Sequence, residues 1–221
     1  LTNVFGIDYL TSSGASIWLI AVASFTLLTS SIIAITKDDL KARLAYSTIS
    51  QLSYIVLGGA LATSLAVQGA AMHIIMHAAG KITLFFVAGA IYVGAKLTKI
   101  SDLDGQGYKM PWMFAAFFIG SLSIIGVPPL GGSWSKFLLM LGAVDSGFII
   151  VIFVLCISTL LNVYYLLEIP ARAFFKSSKK EINPRIPILA ALPPIFTAVI
   201  TVLLFFYPHH LKTLTEMMVI Q

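Results

Sequence analysis

The chain alternates long apolar runs with short polar segments, after a mixed polar stretch over residues 1–14 that we interpret as an exposed connector. A run of about 20 apolar residues is long enough to cross the hydrocarbon core of a membrane as a helix. Five runs reach or approach this length: residues 15–36, 44–66, 67–95, 111–126 and 186–207. The pattern predicts an all-α membrane protein.

Residues 126–168 depart from this regular pattern. Two prolines and three glycines in GVPPLGG end the fourth run. A short apolar piece carrying Lys136 follows, stops at residues 145–147, and gives way to another apolar run from Phe148 to Glu168. The first piece is too short to cross alone, and the two together are too long for one straight span. We therefore expect residues 130–168 to form one discontinuous helix, for a total of about six spans.

The composition supports a membrane protein and excludes other classes. Of the 221 residues, 58% are hydrophobic and only 10% are charged, whereas soluble domains have about 25% charged residues. The net charge of +5 lies in loops, which indicates membrane topology and no nucleic-acid binding. The single cysteine, Cys156, permits neither a disulfide within the chain nor a cysteine metal site.

Three loops hold most of the basic residues. Loops 37–43 and 96–109 carry three each, and loop 171–186 carries five: Arg172, Lys176, Lys179, Lys180 and Arg185. Basic loops stay on the cytoplasmic side of a membrane, so all three are predicted to lie there. The third loop reaches that side only if residues 130–168 make one net crossing, and the C-terminus is then outside.

Three titratable side chains interrupt the third apolar run at a spacing of four residues: His73, His77 and Lys81. On a helix they share one face, and Lys81 lies ~12 Å along the axis from His73. A charge near the bilayer centre costs about 2.5–3.5 kcal/mol on insertion scales. We therefore expect the three groups to serve a proton or ion path. The alternative is a structural role, with neighbouring backbone as partner and Lys81 extended to an interface.

Lys136 is the fourth intramembrane candidate, because it follows the helix break. Lysine gains and loses protons, and histidine passes them between its two nitrogens. We predict that Lys136, Lys81, His77 and His73 form a proton wire with water in the gaps.

Most of the residues from 46 to 54 carry hydroxyl or amide side chains, so the first half of the second run is expected to face protein or water.

Asp39 and Lys41 belong to a mixed-charge patch before the second run. Either they face inward toward partners on other helices, or they lie in a hydrated hairpin at the membrane edge.

No metal site is expected on the face of His73 and His77, which has no carboxylate or thiol. No Ser–His–acid set is evident. We interpret GVPPLGG as a helix break, because it does not match a phosphate-binding or dinucleotide-binding loop. We expect no cofactor and no catalytic site in this chain.

Three stretches together resemble the C-terminal half of the antiporter-like proton-channel subunits of respiratory complex I and of Mrp-type multisubunit cation/proton antiporters. They are KDDLKARLAYSTISQLSY, AMHIIMHAAGKITLFFVAGAIY and IIGVPPLGGSWSKFLLMLGA, in the order and with the spacing of that family. The resemblance covers nearly all of residues 15–206. The break followed by LLMLGAVDSG resembles the Mrp D-type subunit more than complex I.

The resemblance implies a bundle of two inverted repeats, each with one broken helix, of which this chain matches the second repeat and the C-terminal helix. Residues 1–221 would then be a single transmembrane domain and a fragment of the family's full length. Lys136 matches the proton-exchanging lysine of the broken helix. His73, His77 and Lys81 match the hydrophilic axis between half-channels, and Asp39 and Lys41 match a charged pair.

The function expected from the resemblance is proton translocation in a multisubunit Na⁺/H⁺ antiporter. Two alternatives remain open: a proton-pumping subunit of NADH:quinone oxidoreductase or a related membrane hydrogenase, and a structural scaffold without transport. The expected partners are other membrane subunits, the lipid bilayer, H⁺ and Na⁺, in a bacterial inner membrane. The family carries no redox cofactor in these subunits, and Glu168, at a helix end, has no assigned role.

Overall fold

The structure is a computed structural model that describes residues 14–178 and 182–217. All regular elements in these two ranges are helical, which confirms the predicted fold class at that level. A 3₁₀ turn covers Ile100–Leu103. The α helices are α1 Ala15–Thr36, α2 Leu40–Ala60, α3 Ser64–Ala95, α4 Pro111–Ile125, α5 Gly132–Asp145, α6 Ile149–Phe175, α7 Ile188–Phe206 and α8 His209–Met217. Most of the predicted N-terminal connector, Lys179 and Lys180 lie outside the described residues.

Four helices are long and apolar enough to cross a membrane: α1, α3, α6 and α7. The fourth predicted run forms the shorter apolar helix α4, which has 15 residues. The second run forms α2, which has 21 residues and a polar first half that matches the sequence expectation. The helix α8 was not predicted from the sequence, because the last apolar run ends at Tyr207 and the residues after Pro208 are too polar to continue it.

Side-chain caps explain why the second run begins and ends earlier than its apolar pattern predicts. The carboxylate of Asp39 accepts a hydrogen bond from the backbone N–H of Ala42 and starts α2 at Leu40. At the other end, the hydroxyl of Thr63 accepts a hydrogen bond from the N–H of Ala66 and starts α3 at Ser64. The apolar run is continuous across this turn, so apolarity alone could not mark it.

The helices α4 and α5 lie one after the other along α3. Gly120 of α4 contacts Leu84 in the second half of α3, whereas Gly142 of α5 contacts Ala66 in its first turn. Together α4 and α5 have a helical length of ~43 Å, close to the ~48 Å of the 32-residue α3. The helical path is therefore interrupted between α4 and α5, at residues 126–131.

This position differs from the sequence expectation, which placed one discontinuous helix over residues 130–168. The difference arises because α6 extends to Phe175 and has 27 residues, or ~40 Å, so it is long enough to cross a membrane alone. The short helix α5 instead continues the direction of α4. In the predicted arrangement and in the observed one, the chain that follows α6 lies at the same end of the bundle.

Close backbone contacts hold α5 against α3. A Cβ atom added to Gly69 of α3 would lie 2.8 Å from the backbone nitrogen of Leu139, and one added to Gly142 of α5 would lie 2.4 Å from that of Ala66. Small residues permit this close approach of helices in lipid. The contact sets the register that brings Ser135 of α5 beside His73 of α3.

Three loops meet at one end of the bundle, and they are the three basic loops of the sequence. The loop before α2 bonds the loop after α3 through Leu40 N–H to Thr98 O, at 2.8 Å. The loop after α3 bonds the end of α6 through Gly107 N–H to Ala173 O, also at 2.8 Å. The loop before α7 bonds the end of α3 through Arg185 N–H, at 3.0 Å. The three loops thus lie at one end of the bundle, and their place on the cytoplasmic side stays a prediction.

Replacing Gly142 with alanine is expected to destabilise the protein by about 1–3 kcal/mol, the usual cost of overpacking. The new Cβ would lie 2.4 Å from the backbone of Ala66, which can move only if the start of α3 moves. Thermal unfolding of the full-length protein in lipid or detergent measures the effect.

The matched control is Gly89→Ala in α3, where the new Cβ meets no atom within 4 Å in the described part of the chain. Alanine favours a helix over glycine by up to ~1 kcal/mol, so its unfolding midpoint should stay equal or rise. A Gly142→Ala protein as stable as the Gly89→Ala protein would contradict the close contact between α3 and α5.

Candidate functional site

The three titratable residues of α3 are buried on one face, as their spacing predicts. His73 is 2% exposed, His77 8% and Lys81 5%. The two imidazole rings lie almost parallel, with centroids 5.7 Å apart and an angle of 10° between their planes. Four-residue spacing on α3 therefore produces a continuous row of nitrogen-bearing groups inside the bundle.

Lys136 enters the same interior from the helix interruption. It lies in the second turn of α5, is 7% exposed, and donates a hydrogen bond from Nζ to the carbonyl of Ile125 at 3.0 Å. Ile125 is the last residue of α4, where carbonyls lack partners within the helix and carry the negative end of the helix dipole. The interruption thus supplies a partner for an intramembrane lysine.

Tyr54 of α2 connects Lys136 with the histidines. The Nζ of Lys136 lies over the Tyr54 ring, 4.7 Å from its centroid, and this ring stacks on His73 with centroids 5.4 Å apart. A cation placed over an aromatic face is attracted by it. The structure therefore brings together all four buried residues predicted from the sequence, in the order Lys136, His73, His77 and Lys81, with Tyr54 as an additional member.

Ser135 links His73 to the start of α5. Its hydroxyl oxygen lies 2.9 Å from Nδ1 of His73 and 3.1 Å from the carbonyl oxygen of Gly132. If the hydroxyl donates to Gly132, Nδ1 donates to Ser135 and Nε2 is the acceptor of the neutral imidazole; if it donates to Nδ1, Nε2 carries the proton. Ser135 can therefore serve either tautomer of His73.

Several buried polar atoms along the row have no hydrogen-bond partner among the described residues. They include Nε2 of His73, Nε2 of His77 and both side-chain amide atoms of Gln51. Buried polar atoms in proteins are normally satisfied by protein groups or by internal water. Water bonded to these atoms would satisfy them.

Lys81 does not extend to an interface. Its Nζ donates to the hydroxyl of Ser47 at 2.6 Å and to the carbonyl of Leu44 at 3.2 Å, both on α2. These bonds supply the neighbouring partners that the structural alternative requires. Within the described ranges, neither Lys81 nor Lys136 forms an ion pair with a carboxylate.

Asp39 and Lys41 lie apart from the buried row. Both are exposed at the loop end of the bundle. Asp39 caps α2, and the Nζ of Lys41 lies over the ring of Tyr92, 5.1 Å from its centroid. The structure therefore places them at the rim and does not bring them into contact with the buried lysines and histidines.

A cluster of four charges at the same end was not predicted as a unit. Glu168 bonds Arg43 at 2.6 Å and Arg172 at 3.2 Å, and Arg172 also bonds Asp104 at 2.7 Å. The i,i+4 spacing of Glu168 and Arg172 is a sequence signal for one of these pairs. Nothing in the sequence pairs Arg43 with Glu168, because the two residues are 125 positions apart.

Through Arg43, this cluster links the helices α1, α2 and α6. Its guanidinium donates to the carbonyls of Ile35, Lys37 and Tyr165 as well as to Glu168. Ile35 lies in the last turn of α1, where helix carbonyls lack intrahelical partners and attract a positive charge. The side chain is 5% exposed, so its charge depends on these partners.

In the described part of the chain, no three His, Cys, Asp or Glu side chains come together in a group that could hold a metal ion. Apart from Arg43 and Asp104, the buried polar side chains there are lysines, imidazoles, hydroxyls and amides. Lysines and imidazoles exchange protons, and hydroxyls can pass them.

Comparison with known proteins gives a consistent result for most of the chain. Residues 1–162 match the family described as NADH:quinone oxidoreductase/Mrp antiporter, TM. The N-type subunit of the NADH-quinone oxidoreductase of Desulforudis audaxviator is 39% identical over 155 residues, covering 70% of this chain and 31% of the relative. The D-type subunit of the Na(+)/H(+) antiporter of Alkalihalophilus pseudofirmus is 32% identical over 192 residues, covering 85% of this chain and 38% of the relative.

A solved structure shares the fold. A chain of the Mrp complex from Dietzia sp. DQ12-45-1b superposes with a TM-score of 0.84 at 23% identity, covering 92% of this chain and 47% of that chain. At this identity the likeness concerns the fold alone. The present chain therefore spans between about a third and a half of the length of the proteins that it matches.

Replacing Glu168 with alanine removes the carboxylate that pairs with the buried Arg43. Breaking a fully buried ion pair by removing one partner costs ~3–5 kcal/mol. Glu168 is 29% exposed, so we expect a smaller loss of about 2–3 kcal/mol. Thermal unfolding of the full-length protein measures it.

The control for this substitution is Glu216→Ala in α8. Its ion pair with Lys212 is 3.7 Å long, with side chains 42% and 56% exposed. Surface pairs of this kind contribute about 0–1 kcal/mol. Equal losses of stability in the two variants would show that the Arg43–Glu168 pair does not stabilise the contact between its helices.

Proposed function

The chain belongs to the NADH:quinone oxidoreductase/Mrp antiporter transmembrane family, and we propose that it is a proton-translocating membrane subunit of a multisubunit Na⁺/H⁺ antiporter. The buried row from Lys136 to Lys81 carries the proposal. Four titratable groups in an apolar interior are costly, and proton transfer gives them a purpose that packing does not. The hydroxyls and carbonyls beside them suit groups that change their protonation state.

The proposed path runs from the helix interruption toward the middle of α3. Lys136 exchanges a proton at the break, His73 and His77 pass it along α3 through Nε2 and bridging water, and Lys81 takes it up. Asp39 and Lys41, at the rim, belong to the mouth of the path and have no direct contact with its buried part. Each step moves one proton from a nitrogen to the next group.

The proposed topology places the three basic loops in the cytoplasm and the C-terminus outside a bacterial inner membrane. The helices α4 and α5 would cross together as one broken helix, so that the described chain makes six crossings with α1, α2, α3, α6 and α7. Lys136 would then lie near the middle of the bilayer, at the free helix ends that line cavities in transporters.

Two candidates share this role, and each has similar relatives. The alignment with the D-type antiporter subunit covers 85% of the chain and supports the first candidate. The higher identity to the N-type subunit, 39% against 32%, favours the second candidate, a proton-pumping subunit of an NADH:quinone oxidoreductase or related complex. Both candidates require further membrane subunits as partners and use the same buried row.

Replacing Lys136 with methionine tests the proposal. Methionine keeps an unbranched apolar side chain but cannot carry a proton, so Na⁺-driven proton flux should fall to background. The measurement is dissipation of a pH gradient after Na⁺ is added to vesicles containing the complete complex. Lys109→Met, which removes an exposed lysine in the loop after α3, should retain the wild-type flux.

Each other outcome points to a named alternative. Wild-type flux in an intact Lys136→Met complex would contradict the proton path and favour a structural scaffold. Absence of Na⁺-driven flux in the wild-type complex would contradict the antiporter and favour the redox-driven candidate. Redox subunits should then co-purify with the chain.

A further inference from the structure

A second series of buried polar groups begins at Lys81 and does not pass through the histidines. The Nζ of Lys81 donates to Ser47 Oγ at 2.6 Å, and this oxygen lies 2.8 Å from the hydroxyl oxygen of Tyr165 on α6. Tyr165 also bonds Oδ1 of Asn162, one turn earlier on the same helix. Ser47, Tyr165 and Asn162 are completely buried.

The hydroxyl hydrogen of Tyr165 has two acceptors within reach, Oγ of Ser47 and Oδ1 of Asn162, and it serves one of them at a time. When it points to Ser47, the hydrogen of Ser47 can point to the neutral amine of Lys81. A series of hydroxyl groups in this arrangement can pass a proton from Tyr165 to Lys81.

The series leads back to Tyr54. The hydroxyl of Tyr54 is buried near Ser158, Thr159 and Asn162 on α6, and the Tyr54 ring lies beside Lys136. Within the described residues, the hydroxyl of Tyr54, Nδ2 of Asn162 and Oγ of Ser158 are buried without a hydrogen-bond partner. These atoms are suitable partners for water between Asn162 and Lys136.

We propose that Ser47, Tyr165, Asn162 and Tyr54 form a second proton branch between Lys81 and Lys136, parallel to the histidine pair. The inference rests on the proposed function, since it requires that the chain move protons. It assigns a transport role to α6, which contributes none of the residues predicted from the sequence.

One proton moves through the branch in the same direction as along the histidines, and it leaves no charge on the branch. The ammonium of Lys136 releases a proton to water held by Asn162 and Tyr54, and this water passes a proton to the hydroxyl oxygen of Tyr165. Tyr165 releases its own hydrogen to Oγ of Ser47, and Ser47 releases its hydrogen to the neutral amine of Lys81. The water and each hydroxyl gain one proton and lose one.

Tyr165→Phe and His77→Ala, singly and together, test whether the branches are parallel. Two branches of similar capacity predict that each single variant keeps roughly half of the wild-type proton flux, and that the double variant loses nearly all of it. The flux is measured in vesicles with the complete complex, after intact assembly has been confirmed for each variant. Ser47→Ala provides a second variant within the new branch and should not reduce flux further in the Tyr165→Phe background.

Thr83→Val is the matched control for loss of a buried hydroxyl. Thr83 lies on α3 and is completely buried, and among the described residues its hydroxyl bonds only the carbonyl of Ala79 in its own helix. Its substitution should leave the flux unchanged in both the wild-type and the His77→Ala backgrounds. Equal effects of Thr83→Val and Tyr165→Phe would assign the loss to packing and overturn the branch.

Two further results would overturn the inference while leaving the proposed function intact. One is complete loss of flux in His77→Ala alone, which means that the histidines are the only path. The other is wild-type flux in Tyr165→Phe with no additional loss in the double variant. Retention of flux in Lys136→Met would instead contradict the proposed function itself.

Discussion

Burial of two lysines without a paired carboxylate in the described part of the chain is the constraint on which the rest of this structure depends. A buried ammonium needs hydrogen-bond acceptors to replace water. Lys136 obtains one from the carbonyl at the end of α4, and Lys81 obtains a carbonyl and a hydroxyl from α2. The helix interruption and the polar first half of α2 both follow from this requirement. Neither lysine is locked in a strong ion pair, so each can change protonation without breaking one.

The helix interruption joins fold and site in one feature. It ends α4 at a glycine with a left-handed conformation, Gly126 at φ +90°, whose missing Cβ leaves room for the stem of Lys136. It also starts α5 deep in the bundle, where close contacts with α3 place Ser135 beside His73. A continuous helix would have used the carbonyl of Ile125 in its own ladder and left Lys136 without that partner.

The sequence predicted the elements whose signal is local. Spacing of four residues placed His73, His77 and Lys81 on one buried face, the motifs identified the family, and basic loops predicted a shared end of the bundle. It did not predict contacts between distant segments: Tyr54 between Lys136 and His73, or Arg43 with Glu168. It also placed the interruption of the helical path one helix too late, because apolar runs do not show which neighbouring helices lie end to end. The sequence also left open whether Asp39 faces other helices or water, because only the folded loop shows that Asp39 caps α2 and is exposed.

If the row from Lys136 to Lys81 is a connected proton path, water must link its members. The decisive measurement is a map of the intact complex at a resolution that shows individual water molecules. We expect ordered water bonded to Nε2 of His73, to Nε2 of His77 and to the amide of Gln51, which are among the buried atoms without partners in the described part of the chain. Apolar side chains or lipid packed against these nitrogens, with no water between His77 and Lys81, would contradict it.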